Sequence, residues 1–158
     1  MSREYPERPI VGIGVCVLRP GAVLLARRGK PPNVGAWSLP GGGQELGETT
    51  EAAARRELAE ETGLQVGDLH LAAVVDSMVG DSAGRLRFHY TIVDYAALWR
   101  GDAARAGSDI TECAWAQFDD LERFKLWSEA HRVIRTGCAL LGLDPPPHNA
   151  GRTTGDSA

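Results

Sequence analysis

Residues 42–64 read GGQELGETTEAAARRELAEETGL, and no other stretch narrows the available structures so far. Its second half is built from strong helix formers and predicts a helix over 50–62. Thr49 or Thr50 can accept N–H bonds as the N-cap, Glu51 sits at the positive end, and Gly63 supplies the stop. Within that helix Glu57, Glu60 and Glu61 fall at i, i+3 and i+4, on one face. Three carboxylates crowded there repel one another unless water or a cation screens them. Mg²⁺ takes oxygen ligands and bridges carboxylates to phosphates, so it suits such a cluster. The same spacing also occurs on solvated helices without function, so the helix alone does not decide. Its setting adds weight. Pro40-Gly41-Gly42-Gly43 puts bare backbone just ahead of the helix N-terminus, where phosphate oxygens or a cation can come close. Arg56 lies within sequence reach of Glu48, and a pairing of the two across the loop would hold the acidic face in place.

The flanking segments read as sheet. Ile10–Leu18 (IVGIGVCVL) and Ala22–Ala26 (AVLLA) are β-branched, apolar runs around Pro20-Gly21, which predicts a hairpin or two adjacent strands. Residues 29–35 (GKPPNVG) form a loop, and Trp37–Leu39 a short strand that ends at Pro40. Strands are expected over 69–79, 86–97 and 113–118, with a turn at 80–84 and a polar loop at 100–108. Ala130, Val133, Ile134, Ala139, Leu140 and Leu141 mark a closing helix over 128–141, apolar on the side facing a sheet. Strands around one central helix, then a second helix, predict an α/β domain with a mixed sheet covered by helices. One domain over 1–144 is expected, followed by a mobile tail over 145–158, where PPPHNAGRTTGDSA has too little apolar surface to bury.

Net charge is −4, with 17 Lys and Arg against 21 Asp and Glu, and no concentrated basic run. That argues against nucleic acid as partner and requires a polyanionic substrate to be met by a metal ion or local arginines. Cys16, Cys113 and Cys138 lie far apart without CxxC pairing, which argues against a zinc site or a disulfide framework and fits a reducing cytoplasm. Met1–Pro9 carries Arg3, Glu4, Glu7 and Arg8 and does not read as a signal peptide. No apolar run approaches the ~18 residues of a membrane span.

Gly42, Glu48, Arg56, Glu57, Leu58, Glu60, Glu61, Gly63 and Leu64 follow a fixed spacing. It runs glycine, five residues, glutamate, seven residues, arginine, glutamate, aliphatic, any residue, two glutamates, any residue, glycine, aliphatic. On these residues the chain resembles the Nudix hydrolases, with no departure from their signature. A looser likeness reaches upstream to Trp37-Ser38-Leu39-Pro40 and downstream to 109–115. The resemblance implies an α/β/α sandwich and hydrolysis of a phosphoanhydride bond in a nucleotide derivative, with one to three Mg²⁺ or Mn²⁺ ions as cofactor. It implies Glu57, Glu60 and Glu61 as metal ligands, the Gly42 carbonyl beside them, and Glu57 or a downstream acid as general base. Arg56 would orient Glu57, Glu48 would be structural, and Leu58 and Leu64 would lie in the core.

Outside the signature, Asp109 stands on the polar loop where comparable enzymes place a further acid, although it could equally form an Asx-turn with Thr111. Glu112 is the next candidate. Of Arg27 and Arg28, Arg27 is favoured to clamp a phosphate, with the other turned to solvent. Trp37, Phe88, His89 and Tyr90 could stack on a base or simply pack on the sheet. ADP-ribose leads as substrate. A nucleoside triphosphate pyrophosphatase of the MutT type is the alternative, and a non-catalytic nucleotide sensor the third reading. Comparable hydrolases are often dimers, which leaves open a homodimer paired through the early strands.

Overall fold

A computed structural model describes residues 2–31 and 33–148. Seven strands form one mixed sheet: β1 (Ile10–Arg19), β2 (Ala22–Arg28), β3 (Trp37–Ser38), β4 (Gly41–Gly43), β5 (His70–Gly80), β6 (Leu86–Leu98) and β7 (Ile110–Gln117). The main order is β3-β2-β1-β6-β5, with β4 paired to β1 and β7 to β2. The helices are α1 (Thr50–Thr62) and α2 (Ser128–Leu141), and a 3-10 segment covers Phe118–Phe124.

β1 is apolar on both faces because both faces are covered, as a central strand requires. On one side Ala53, Ala54 and Leu58 of α1 pack over Ile13, Val15, Val17 and Leu24. On the other, Val133, Ile134 and Cys138 of α2, with Phe118, Leu121 and Phe124, pack over Cys16, Leu18, Val23 and Leu25. Gly137 allows α2 to approach closely: a Cβ there would lie 3.1 Å from both Ala96 and Leu18. The expected α/β layering is therefore present.

β1 and β2 pair only near their turn, Leu18 with Val23 and Arg19 with Ala22. Beyond it they part. β1 takes β4, with Gly12, Ile13 and Gly14 facing Gly43, Gly42 and Gly41 in turn, while β2 takes β7. On its other side β1 runs parallel to β6 from Ile10–Tyr90 to Leu18–Leu98.

Three elements differ from the sequence reading. Gly41–Gly43 is a short strand rather than the end of one, because residues without side chains can lie flat against Gly12 and Gly14. β7 begins at Ile110, three residues early, drawn in by pairing with Arg28. Phe118–Phe124 turns as a 3-10 segment that buries Phe118, Leu121 and Phe124. The early strands have neighbours within their own sheet, so they offer no free edge between subunits; β5 is the long strand at one end of the sheet, with Leu71, Val74 and Met78 more than half exposed. Of the expected tail, Pro147 accepts a bond from Arg135 at 2.8 Å, and residues 149–158 lie outside the described residues. Cys16 and Cys138 are buried and all three cysteines are free. No helix among the described residues is long and apolar enough to cross a membrane.

Candidate active site

Helix α1 is closed at both ends by its own sequence. The Thr49 hydroxyl accepts from the Ala52 N–H at 3.0 Å, and Gly63, at φ 73°, lets its N–H bond the Ala59 carbonyl. The helix lies across β4, so its glutamates meet the glycine strand. Gly42 lies against the helix: a Cβ there would collide with the Glu57 carboxylate, which would have to swing aside from its present position. The Gly41 N–H donates to Glu61 Oε2 at 2.9 Å.

Arg56 organises this face. Its Nε and Nη2 hold both oxygens of Glu48 at 2.8 and 2.7 Å, and Nη2 also donates to the Gly43 carbonyl at 2.9 Å. Nη1 reaches Glu57 at 2.9 Å and Glu60 at 3.3 Å, with Glu45 at 3.8 Å. One guanidinium thus ties the loop, the glycine strand and two of the three glutamates together, a task for its planar fork of donors. Arg56, helped by the Glu45 N–H, holds the Glu48 carboxyl down at about 2.

The other two acids are shifted the opposite way. Burial raises Glu57, against the opposing pull of Arg56. Glu61 is only 8% exposed, and burial pushes it up to about 7; the Gly41 N–H and Arg28 pull down, while Glu57 and Asp109 add repulsion. Carboxyls desolvated this far, with hard oxygen donors beside bare backbone, match the needs of a small divalent cation. As they stand, no three acidic, histidine or cysteine side chains among the described residues are gathered as ion ligands. Glu57 and Glu60 turn toward Arg56 instead, and Glu61 toward Gly41. The donor set fits a cation, and its side chains would rotate to hold one.

A loop brings the downstream acid to the same place. The Gly107 N–H donates to the Glu61 carbonyl at 2.9 Å and the Arg105 N–H to the Thr62 carbonyl at 2.8 Å, satisfying the end of α1. Gly107 fits only as glycine, since a Cβ would stand 2.5 Å from the Glu60 carbonyl oxygen. Two residues on, the Asp109 carboxylate pairs with Lys30 at 2.7 Å, and its charge reaches Glu61. No Asx-turn to Thr111 forms; the Thr111 hydroxyl points to the Arg27 carbonyl at 3.5 Å.

The remaining candidates are less central. Arg27 donates to the Gly35 carbonyl at 3.0 Å and meets Glu112 at 3.4 Å, so it is tied to its own loop. Arg28 is the arginine whose charge reaches Glu61; alternation along β2 puts it on the face of Leu24, beneath α1, and Arg27 on the face of Val23 and Leu25. Trp37 stands edge-on to Phe124 at 5.2 Å, at the margin of the core. Phe88 is buried, and His89 and Tyr90 are half-buried. Sequence reasoning missed Glu45 and Gly107, since neither stands out from neighbouring acids and glycines before the loops are folded.

The NUDIX domain family model matches residues 8–136. Over 128 residues, 80% of this chain and 72% of the other, the chain is 34% identical to an ADP-ribose pyrophosphatase of Methanocaldococcus jannaschii. Over 66 residues it is 50% identical to a putative 8-oxo-dGTP diphosphatase 2 of Mycobacterium tuberculosis; that segment is 41% of this chain and only 44% of the relative's length. The crystal structure of a MutT NUDIX hydrolase from Burkholderia pseudomallei superposes with a TM-score of 0.65 at 32% identity, covering 72% of this chain and 87% of that one. The chain belongs to the Nudix family.

Proposed function

We propose that the protein hydrolyses a phosphoanhydride bond in a nucleoside diphosphate linked to another group, with ADP-ribose as first candidate. The observation that carries this is the pair of desolvated carboxyls, Glu57 and Glu61, set against the bare backbone of β4 within an unbroken signature. The likeness to an ADP-ribose pyrophosphatase over four-fifths of the chain supports the substrate.

In this reading Glu57, Glu60 and Glu61, with the Gly42 carbonyl, hold Mg²⁺ or Mn²⁺. When bound, such an ion masks phosphate charge, lowers the pKa of water and stabilises the leaving phosphate. Arg56 keeps Glu57 and Glu60 aimed at that position by anchoring them to Glu48 and Gly43. Glu57 or the downstream acid Asp109 serves as general base toward the attacking water. Arg28 and the open β4 backbone face the diphosphate, and Arg27 and Trp37 border the entrance. Hydrolysis in the cytoplasm is proposed from the free cysteines, and any homodimer would use the exposed β5 edge.

A second reading, a MutT-type nucleoside triphosphate pyrophosphatase, is favoured by the 50% identical segment. Product analysis separates them. With Mg²⁺ and a panel of ADP-ribose, sugar nucleotides, dinucleoside polyphosphates and nucleoside triphosphates, AMP plus ribose 5-phosphate supports the first reading. Nucleoside monophosphate plus pyrophosphate, with ADP-ribose untouched, replaces it by the second.

A further inference from the structure

Around the glutamate face, Arg56, Arg27 and Lys30 are each paired with carboxylates. Arg3 is not. Among the described residues no hydrogen bond or ion pair engages its guanidinium, yet it lies at the site. Its Nη2 stands 3.6 Å from where a Cβ on Gly43 would be, and its charge reaches Glu57. The other end of β4 is closed: Gly41 faces Gly14, and the buried Asp94 carboxyl fills the space over Gly14. At Gly43 the Cβ would meet no other described residue within 4 Å, its chain neighbours aside. Arg3 stands alone over that end of the strand.

An exposed segment holds an arginine in one place only if something anchors it, and here the anchor is Tyr5. Its N–H donates to the Arg87 carbonyl at 2.8 Å, and its hydroxyl to Asp81 Oδ2 at 2.9 Å. The Arg85 guanidinium lies 4.3 Å over its ring, and Glu4 meets Arg87 at 3.3 Å. Asp81 is itself fixed by the Ala83 and Arg85 N–H groups, each 2.9 Å from Oδ1. The clasp therefore joins residues 4 and 5 to the turn between β5 and β6. Tyr5 takes φ 50°, a left-handed conformation that a bulky side chain adopts only where its surroundings hold it. Two residues before this bend, the chain has reached β4. Neutralising Glu57 does not require Arg3, because Arg56 already pairs with that carboxylate at 2.9 Å. A guanidinium with its fork of donors unspent, at the rim of an acidic site, suits a phosphate.

We propose that residues 2–9 form an arm, held against the β5–β6 turn by the Tyr5 clasp, that delivers Arg3 beside Gly43 to grip a phosphate of the substrate. This rests on the nucleotide hydrolase reading above and deepens it, adding a phosphate-binding residue that lies outside the signature.

The test is equilibrium binding, with Mg²⁺ present, of α,β-methylene-ADP, whose bridged phosphates resist hydrolysis, and of adenosine, which has no phosphate. Arg3→Ala should weaken α,β-methylene-ADP about tenfold or more, the effect of one hydrogen bond to a charged group, and leave adenosine unchanged. Arg3→Lys, which keeps the charge without the fork, should fall between. Arg8→Ala removes an exposed arginine of the same arm and should match the wild type, which separates a local grip from overall charge. Tyr5→Ala leaves Arg3 in place but opens the clasp. It should lose about as much as Arg3→Ala, and the double variant no more than either. Equal affinity of the wild type and Arg3→Ala for α,β-methylene-ADP overturns the proposal, even where kcat falls, since Arg3 would then only steady Glu57. An equal loss for adenosine overturns it too, as does a wild type that binds no α,β-methylene-ADP. Losses from Tyr5→Ala and Arg3→Ala that add in full, or no loss from Tyr5→Ala, overturn delivery by the clasp. If the wild type cleaves nothing in the substrate panel, the hydrolase reading falls; if it cleaves and Arg3→Ala binds like the wild type, only the arm falls.

Discussion

Gly107→Ala perturbs the active site without touching any acidic side chain. The added Cβ would stand 2.5 Å from the Glu60 carbonyl oxygen, against the 3.0 Å below which real Cβ contacts are essentially never seen. Loop and helix must therefore separate by at least 0.5 Å (3.0 − 2.5). Separation weakens the bond from the Gly107 N–H to the Glu61 carbonyl, now 2.9 Å, and leaves a helix-end carbonyl short of a donor. That costs about 2 kcal/mol, offset by about 0.5 kcal/mol because alanine stiffens the unfolded chain. For a domain of this size the net loss lowers Tm by about 4 °C. The same shift moves Glu60, Glu61 and Asp109 relative to one another. As a 1 Å misplacement can cost about a hundredfold, roughly tenfold in kcat is expected from half that. Gly67→Ala is the control, since a Cβ there meets nothing within 4 Å. Thermal melts and steady-state kinetics on both variants suffice. Gly107→Ala matching Gly67→Ala in Tm and kcat would refute the packing of this loop on the helix.

Two further outcomes follow from the electrostatics. Arg56→Lys keeps the charge but cannot span both Glu48 oxygens, the Gly43 carbonyl and Glu57, so kcat should fall at least about tenfold with the far-UV circular dichroism unchanged; unchanged kcat would mean the fork does not organise the glutamates. Asp94 holds its proton more tightly folded than unfolded, with a pKa of about 6 against an ordinary 3.8. Stability from this group is present at low pH and is lost as pH rises from about 4 through about 6, by about 3 kcal/mol in all. Urea titrations should therefore show Asp94→Asn gaining on the wild type by up to that amount at pH 8 and by little at pH 4, and a gap that is flat with pH would contradict the burial assigned to Asp94.

The active helix was legible because its information is local. Thr49, Gly63 and the i, i+3, i+4 glutamates depend only on helix geometry, and the Arg56–Glu48 pair spans a loop short enough to foresee. Strand existence was equally plain from β-branched runs such as Ile10–Leu18. Long-range approach was not legible. That Gly41–Gly43 would become a strand depends on Gly12 and Gly14 offering a flat partner, and no pattern in either segment announces it. Arg28 and not Arg27 sends its charge to Glu61, because alternation along β2 puts it on the same face as Leu24, under α1, and β2 alone does not say which face α1 covers. Trp37 packs at the margin of the core because Phe124 comes from a 3-10 segment that the sequence does not signal. Asp94 gave no sign of itself at all. In a strand of mixed polarity its burial becomes visible only when its carboxyl is seen lying over Gly14.

Everything in the proposed chemistry requires the acidic face of α1 to take up a divalent cation. Mn²⁺ binding, followed by electron paramagnetic resonance in the absence of nucleotide, measures this directly. The wild type should bind Mn²⁺, and Glu57→Gln and Glu61→Gln should each weaken binding at least about tenfold, the loss of one charged oxygen ligand, while melting at or above the wild-type temperature. Mn²⁺ affinity left unchanged in both folded variants would contradict the account.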